Sequence, residues 1–292
     1  MTATAEPVLI DVATLQAWQA DGRPLCVLDA RADPVNGSAP GSGRAAWQQA
    51  HIPGAQHADL DTQLSDCRIQ GQGRHPLPGE AAFNHQLGQW GIGPQTWVVA
   101  CDATDGSLAA ARLWWLLRLH GHRRVVVLDG GLAAWTQAGG VLTERCPPVP
   151  ALGDYPGRRD TSRLVQAGQV LARIGQAPGW LLDARAPERF AGVHEPIDPV
   201  AGHVPGALNL PYARLVADGR LLPPAQIRQQ VQALVGHTDL GDTVLMCGSG
   251  VTACHLLLAL EHAGLPGARV YPGSWSGWIA DSLRPVASAP GS

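Results

Sequence analysis

Residues 26–31 spell CVLDAR, and residues 180–185 spell WLLDAR. The core Leu-Asp-Ala-Arg is the same in both stretches, and each time it follows apolar residues. A short apolar run that ends in a polar residue is typical of a buried strand. The recurrence of this strand-like stretch indicates that the fold itself occurs twice in the chain.

Three further matches follow in the same order along the chain. They are HIPGA (51–55) with HVPGA (203–207), TWVVACD (96–102) with DTVLMCG (242–248), and VVVLDGG before Trp135 with RVYPGS before Trp278. The TWVVACD and DTVLMCG stretches are each followed by a helical run rich in alanine and leucine. Ordered matches of this kind predict a duplicated domain.

Each copy has short strand-like segments that alternate with helical runs of about 10–14 residues. This alternation predicts the α/β class: two tandem domains, each with a mostly parallel sheet flanked by helices on both faces. The proline- and glycine-containing stretch from Cys146 to Arg159 predicts a linker. We therefore expect a first domain over residues 8–145, a linker over 146–160 and a second domain over 161–287.

The chain has 292 residues, and all 21 of its lysine-or-arginine positions are arginine. The absence of lysine excludes a Schiff-base lysine, and with it ordinary pyridoxal-phosphate chemistry. It also excludes the phosphate-binding loop in which a lysine contacts nucleotide phosphates. Any nucleophile must therefore be another residue type.

Net charge and cysteine usage predict a cytoplasmic protein without nucleic-acid or membrane partners. The formal net charge is −3, which does not indicate binding to nucleic acid or to an anionic membrane. No apolar stretch approaches about eighteen residues, and the first residues lack the pattern of a secretion signal. The six cysteines show no CxxC or CxxH spacing, so we expect neither a metal site nor a disulfide framework.

The duplication supplies an internal control, because features present in both copies are expected to serve the fold. The shared polar features are Asp29 with Arg31, Asp183 with Arg185, and the histidines before the Pro-Gly turns, His51 and His203. We interpret them as structural hydrogen-bonding and turn residues. Features present in one copy only are candidates for function.

The clearest difference follows the central strand of each copy. The second copy has CGSGVTA from Cys247 to Ala253, where the first has DATDGS from Asp102 to Ser107. A strand, a glycine-containing turn and a helix form a cradle of backbone N–H groups that favours an anion. A cysteine placed there is expected to react as the thiolate. Asp102 cannot act as a sulfur nucleophile, so we expect an active second half and an inactive first half.

Three residues outside this loop also distinguish the copies. Arg189 has Val35 opposite it, and His75 has Leu221 opposite it. His75 and Asp66 precede the helix start LPGEAAF, and we expect them to reach across a cleft between the domains. An arginine after a strand can be a surface charge. Arg189 occurs only in the half that has the cysteine, which favours a role at the site. A guanidinium there could bind both oxygens of a carboxylate.

The sequence resembles the tandem-domain sulfurtransferases of the rhodanese family over nearly the whole chain, roughly residues 8–285. The motifs that carry the resemblance are LDAR, HIPGA and HVPGA, GRHPLP, LDGGLAAW, CGSGVTAC and YPGSWSGW. Thiosulfate-type members usually have cationic side chains in the loop after the cysteine. Gly248 and Ser249 are uncharged, which resembles the 3-mercaptopyruvate type.

This resemblance implies that the Cys247 thiolate takes a sulfur atom from 3-mercaptopyruvate and becomes a persulfide. Ser249 and Asp66 would assist proton removal, His75 would position the donor, and Arg189 would bind its carboxylate. The loop amides would stabilise the anions, and the residues concerned are Gly248, Gly250, Val251 and Thr252. A thiol, thioredoxin or cyanide would then accept the sulfur, and the resemblance implies no cofactor and no metal.

One position departs from the family pattern. Relatives of the mercaptopyruvate type commonly have a second substrate-binding arginine shortly after a Glu-Pro pair. Ile197 stands near that position in EPIDP (195–199). We therefore expect the donor carboxylate to depend on Arg189 alone, and thiosulfate stays open as an alternative donor.

Two other functions are weaker alternatives. A cysteine phosphatase would need an arginine six positions after the nucleophile to hold the phosphate, and Ala253 stands there. A non-catalytic scaffold of paired domains would not need Cys247, its loop and Arg189 together in one half. We therefore favour the sulfurtransferase.

Overall fold

The computed structural model of the chain describes residues 7–32, 41–107, 109–148, 151–237 and 239–288. Val35, which the sequence register sets opposite Arg189, lies outside the described residues. The chain divides into two compact units. The first unit takes residues 1–65, 78–160 and 218–221, and the second takes residues 66–77, 161–217 and 222–292.

The first unit is built on a five-stranded sheet. Its strands are β1 (Leu9–Ile10), β2 (Leu25–Asp29), β3 (Ala55–His57), β4 (Trp97–Cys101) and β5 (Val125–Leu128). Its helices are α1 (Val12–Ala20), α2 (Ser42–Gln49), α3 (Glu80–Gln89), α4 (Ala110–Leu119) and α5 (Gly131–Gln137). The strand order is β1-β5-β4-β2-β3, and all neighbours are parallel. Strand β5 is buried along its whole length, as expected for a parallel strand covered by helices.

The second unit has a four-stranded parallel sheet. The strands of the second half are β6 (Leu181–Asp183), β7 (Leu208–Asn209), β8 (Val216–Ala217), β9 (Arg220–Leu221), β10 (Val244–Met246) and β11 (Arg269–Val270). Its helices are α6 (Ala167–Leu171), α7 (Pro187–Ala191), α8 (Pro224–Val235), α9 (Thr252–His262) and α10 (Ser274–Trp278). The sheet order is β11-β10-β6-β7, with parallel neighbours throughout.

The two sheets have the same topology. The order β5-β4-β2-β3 in the first corresponds to β11-β10-β6-β7 in the second, because the equivalent strands have equivalent neighbours. Strand β1 pairs with β5 in the first unit, and a single parallel bridge from Leu164 to Val270 takes that place in the second. The predicted α/β class, with a parallel sheet and flanking helices in each domain, is confirmed.

The Asp-x-Arg pairs and the Pro-Gly histidines make the same contacts in both units. Arg31 donates to both carboxylate oxygens of Asp29 and to the carbonyl of Ala50, just before His51. Arg185 does the same with Asp183 and the carbonyl of Gly202, just before His203. Each histidine forms an antiparallel bridge, His51 with Thr143 and His203 with Ala287. These residues join a strand end to the following turn, which is the structural role that the repeat predicts.

Several helices are shorter than the alternation predicts, and α7 matters most for the site. It spans five residues, starts with Pro187 and ends where Gly192 adopts a left-handed conformation (φ 78°). Proline fits the first turn of a helix, where no N–H partner is needed, and glycine readily ends one. The sequence thus places Arg189 on a short helix after β6.

Candidate active site

Cys247 lies directly after β10, at the carboxyl end of the sheet of the second unit. Cys247 is only 1% exposed, and its Sγ accepts a hydrogen bond of 3.1 Å from the amide of Gly250. Gly250 has φ +81°, and a Cβ atom there would lie 2.3 Å from the carbonyl oxygen of Pro272. Only glycine fits this turn. The predicted geometry, in which a backbone N–H of the loop points at the sulfur, is present.

The remaining loop residues complete the turn into α9. Val251 precedes the helix as its N-cap residue, and Thr252 is the first helical residue. Of the loop amides that the sequence proposes for the sulfur, the one that contacts it within the described residues is that of Gly250. The strand, turn and helix thus bring the sulfur to the start of α9, and the amino-terminal end of a helix is the end that attracts anionic ligands.

Ser274 supports Cys247 from the side of α10, and it is not among the site residues predicted from the sequence. The amide of Cys247 donates to Ser274 Oγ at 3.0 Å, and Ser274 Oγ lies 3.0 Å from the carbonyl of Tyr271. Ser274 is fully buried with φ +50°, a strained value for a residue other than glycine. Gly131, at the equivalent place in the first unit, has φ +53°. Setting RVYPGS beside VVVLDGG could have revealed this difference, because serine replaces a glycine where the backbone demands one.

His75 and Ser249 meet beside the nucleophile. The Nδ1 atom of His75 lies 2.8 Å from the Oγ of Ser249, within hydrogen-bonding distance. His75 comes from the segment 66–77, which belongs to the second unit by its contacts although it lies early in the chain. The pair can pass a proton between an imidazole and a hydroxyl next to the sulfur.

Arg189 is held by two carboxylates. Its Nε donates to Glu195 Oε1 at 2.9 Å, and its Nη2 donates to Asp198 Oδ2 at 3.0 Å. Burial alone would raise the pKa of Glu195, but the hydrogen bonds from Arg189 and from the amide of Asp198 hold it below its ordinary value. Burial raises the pKa of Asp198, against the opposing effect of Arg74. The guanidinium is therefore fixed in place by anions.

Arg74 supplies a second guanidinium at the same place, and it is not among the site residues predicted from the sequence. Its Nη1 forms an ion pair with Asp198 Oδ1, so Asp198 bridges Arg74 and Arg189. Arg185 joins the same network through Glu195, at 3.4 Å. The result is a chain of six alternating charges, in the order Asp183, Arg185, Glu195, Arg189, Asp198 and Arg74.

Asp66 lies apart from this network. Its carboxylate accepts hydrogen bonds of 2.8 and 2.9 Å from the highly exposed Arg68, which lowers the pKa of Asp66. Its amide donates to the carbonyl of Pro76. Of the predicted site residues, the structure therefore brings together Cys247, Ser249, His75 and Arg189. Asp66 instead forms an ion pair with Arg68.

Asp102 occupies the matching position in the first unit. Its Oδ1 accepts hydrogen bonds from the amides of Thr104 at 3.1 Å and Gly106 at 3.0 Å. Burial raises its pKa to about 6. The Asp102 carbonyl accepts from Leu132 N and the Cys247 carbonyl from Trp275 N, both at 2.9 Å, so the two loops are equivalent. In the first unit a carboxylate, which is not a sulfur nucleophile, fills the cradle.

The described residues contain neither a helix that could span a membrane nor a cluster that could hold a metal ion. Within the five described ranges, no helix is both long enough and apolar enough to span a bilayer. In the same ranges, no three histidine, cysteine, aspartate or glutamate residues lie close enough to hold a metal ion.

The comparisons with known proteins agree on one family. A family model described as "Rhodanese-like domain" matches residues 11–138 and 166–281. The chain is 48% identical over 252 residues to the "Probable 3-mercaptopyruvate sulfurtransferase" of Pseudomonas aeruginosa, covering 85% of this chain and 88% of the relative. It is 36% identical over 244 residues to the "Thiosulfate sulfurtransferase" of Rattus norvegicus, covering 81% and 80%.

A solved structure gives the same answer for the fold. The 3-mercaptopyruvate sulfurtransferase from Leishmania major matches with a TM-score of 0.81 and 28% sequence identity, over 94% of this chain and 75% of that one. The family model matches each half separately, and the two sheets share one strand order. The chain therefore belongs to the rhodanese family, with one rhodanese-like domain in each half, as the resemblance of its motifs implies.

Proposed function

We propose that the chain is a sulfurtransferase that takes a sulfur atom from 3-mercaptopyruvate, holds it as a persulfide on Cys247 and passes it to an acceptor. The observation that carries this proposal is the hydrogen bond from the Gly250 amide to the Cys247 sulfur. His75, Ser249 and two arginines lie around the same loop. The names of the relatives support the class of reaction.

In the first half-reaction, the Cys247 thiolate attacks the sulfur of the donor. A sulfur–sulfur bond forms and the carbon–sulfur bond of mercaptopyruvate breaks. The electron pair of that bond passes to carbon as the enolate of pyruvate, which takes up a proton and leaves as pyruvate. The donor sulfur stays on the enzyme as Cys-S-SH, and the amide of Gly250 stabilises the negative charge on sulfur before and after the transfer.

The neighbouring residues supply the proton transfers and the grip on the donor. The Ser249 hydroxyl, in contact with His75 Nδ1, takes the proton of Cys247 or of the donor thiol. His75 also positions the donor, and Arg189 binds its carboxylate. Asp66 also assists this deprotonation in the proposed mechanism. The hydrogen bond that it accepts from Arg68 favours its ionised form.

In the second half-reaction, a nucleophilic acceptor attacks the outer sulfur. The sulfur–sulfur bond breaks and its electron pair returns to Cys247 as the thiolate. A small thiol or thioredoxin would leave as a persulfide, and cyanide would leave as thiocyanate. Because donor and acceptor react in turn with one cysteine, ping-pong kinetics are expected.

We propose the cytoplasm as the compartment, since the structure forms no disulfide among the six cysteines, all of which it describes.

Thiosulfate is the second candidate donor. One relative with 36% identity is named a thiosulfate sulfurtransferase, and two guanidinium groups beside Gly248 could also hold a sulfonate. The uncharged side chains of the loop favour mercaptopyruvate. The ratio of kcat/KM for the two donors, with cyanide as the common acceptor, decides between them.

The proposal is tested by trapping the first half-reaction. After treatment with mercaptopyruvate and removal of excess donor, intact-mass measurement should show a gain of one sulfur atom, and peptide mapping should place it on Cys247. Cys247→Ser should show neither the gain nor any turnover, whereas Cys146→Ser, at an exposed cysteine, should match the unsubstituted chain. Sulfur transfer by Cys247→Ser would refute the proposal.

A further inference from the structure

Two guanidinium groups lie where a side chain at position 248 would be. A Cβ atom at Gly248 would lie 3.0 Å from Nη2 of Arg74, 3.3 Å from Nη1 of Arg189 and 3.4 Å from Nη2 of Arg189. Gly248 directly follows the nucleophile Cys247. Two positive groups therefore converge on the loop residue next to the reacting sulfur.

The carboxylates of the network leave one face of this arginine pair open. Asp198 takes Nη1 of Arg74 and Nη2 of Arg189, and Glu195 takes Nε of Arg189. The two nitrogen atoms nearest the Cβ position of Gly248 are not those that the carboxylates take: they are Nη2 of Arg74 and Nη1 of Arg189, whereas Nη2 of Arg189 is farther away at 3.4 Å. Among the described residues, neither of these two atoms has a hydrogen-bond acceptor, so both can donate to a bound ligand.

The backbone of Arg74 is tied to the same loop. Its amide donates to Ser276 Oγ at 3.0 Å, and the amide of Ser276 donates to the carbonyl of Gly248 at 2.9 Å. Gly73 is packed against α10 as well, since a Cβ atom there would lie 2.6 Å from the carbonyl oxygen of Gly273. The position of Arg74 relative to Cys247 is thus fixed by backbone contacts.

We propose that Arg74 is a second donor-binding residue, whose Nη2 acts with Nη1 of Arg189 to hold the donor's carboxylate beside Cys247. This inference rests on the proposed function. It supplies the cation that the sequence lacks at Ile197, so the carboxylate does not depend on Arg189 alone. It also gives a reason for glycine at position 248, because any side chain there would push the guanidinium groups away.

The chemistry identifies the ligand class as a small carboxylate. Two N–H donors from different guanidinium groups match the two oxygens of one carboxylate, and a charged hydrogen bond of this kind is strong. Asp198 aligns both guanidinium groups from the opposite side. The side chain of Arg74 is 31% exposed, whereas that of Asp198 is 2% exposed, so Arg74 remains accessible from solvent to an incoming anion.

The test compares two donors that differ only in the carboxylate. Mercaptoacetone keeps the thiol and the ketone of mercaptopyruvate but carries no charge. In Arg74→Gln, kcat/KM for mercaptopyruvate should fall about ten- to a hundredfold, mainly through KM, while the value for mercaptoacetone should stay within about twofold. Arg123→Gln removes an equal charge from an exposed position, and kcat/KM should stay the same for both donors.

Further measurements separate a binding role from a structural one. Pyruvate, which keeps the carboxylate, should inhibit Arg74→Gln more weakly than it inhibits the unsubstituted chain. Its inhibition constant should rise by the same factor as the KM for mercaptopyruvate. Arg74→Lys keeps the charge with one fewer directed donor, so it should be intermediate, and it serves if Arg74→Gln fails to fold. An equal loss with both donors, or no loss with mercaptopyruvate, would overturn the inference. An unsubstituted chain that forms no persulfide from mercaptopyruvate would overturn the proposed function, and the inference with it.

Discussion

Gly248 stands between the nucleophile Cys247 and Ser249, and the guanidinium groups of Arg74 and Arg189 lie where its side chain would be. The atoms that a Cβ would meet are the ends of two long side chains. These can move by a few tenths of an ångström without disturbing the backbone. A methyl group at this position therefore tests the arginine pair without removing either arginine.

We expect Gly248→Ala to fold normally and to raise the KM for mercaptopyruvate by roughly tenfold, because small displacements of a binding group are costly. The melting temperature and the steady-state constants check this. Gly168→Ala is the matched control, since a Cβ atom at Gly168 meets nothing within 4 Å. Unchanged donor kinetics in Gly248→Ala would show that the guanidinium groups do not need their observed positions.

Single residues differ in how well the sequence predicts them. Cys247 and Arg189 could be found because the second copy of the repeat has them and the first does not. The role of Arg74 could not, because it depends on the ion pair with Asp198, 124 positions along the chain. Sequence spacing gives no information about such a pair. The family resemblance implies a role for Asp66, and its pairing with Arg68 was not predicted.

At the scale of elements, the same strand–turn–helix unit carries two different groups that accept a hydrogen bond from a loop amide. In the second unit the Gly250 amide donates to the Cys247 sulfur at 3.1 Å. In the first, the Gly106 amide donates to the Asp102 carboxylate at 3.0 Å. The parallel sheets and this loop were predictable from the repeat, because apolar runs and glycine positions are visible in the sequence, whereas the strand order was not predicted. The positive φ angle of Ser274 was missed, because serine by itself does not indicate a left-handed backbone and only the aligned Gly131, which has a similar φ, points to it.

The turn itself predicts a large effect of Gly250→Ala. The φ of +81° costs any residue with a side chain about 1–2 kcal/mol, and the Cβ would also lie 2.3 Å from the Pro272 carbonyl. Gly121→Ala is the matched control, because Gly121 has φ +82° and nothing within 4 Å of the added Cβ. The free energy of unfolding should fall further for Gly250→Ala than for Gly121→Ala. Equal losses would mean that the loop can move away from Pro272.

The buried carboxyl of Asp102 predicts a pH dependence of stability. Burial raises its pKa from 3.8 to about 6, so the folded chain binds this proton more tightly than the unfolded chain does. The contribution is fully present below pH 3.8 and is lost as the pH rises through about 6. From these two pKa values the loss is roughly 3 kcal/mol.

Asp102→Asn isolates this contribution, because asparagine keeps an acceptor oxygen and does not ionise. Denaturant unfolding of both chains between pH 4 and pH 7 should show the unsubstituted chain losing stability relative to Asp102→Asn as the pH rises. A difference between the two chains that is independent of pH would contradict the raised pKa.

At the scale of the whole molecule, the two halves share a topology but differ at the loop after the central strand, where the second unit has Cys247 and the first has Asp102. The residue that corresponds to Gly248 in the first unit is Ala103, since Ala133 N contacts Ala103 O as Ser276 N contacts Gly248 O. A side chain thus stands where the second unit admits two guanidinium groups. The repeat predicts an inactive first half from Asp102, Arg189 and His75, and the structure adds the difference between Ala103 and Gly248.

A nucleophile alone should therefore not activate the first half. In a Cys247→Ser chain, Asp102→Cys should acquire no sulfur from mercaptopyruvate, as measured by intact mass and peptide mapping. The unsubstituted chain, treated in parallel, should carry sulfur on Cys247. A donor-dependent persulfide at position 102 would show that the cradle is sufficient without the arginines and His75.

The segment Asp66–Leu77 groups with the second unit although it precedes most of the first. A protein engineer who divided the chain at the linker would obtain a carboxyl-terminal fragment with Cys247, Ser249 and Arg189 but without Arg74 and His75. The nucleophile and two of its polar partners would then be on different polypeptides. The repeat makes the chain look like two modules in a row, but the candidate site takes residues from both halves of the sequence, and no cut between residues 77 and 189 leaves these residues on one polypeptide.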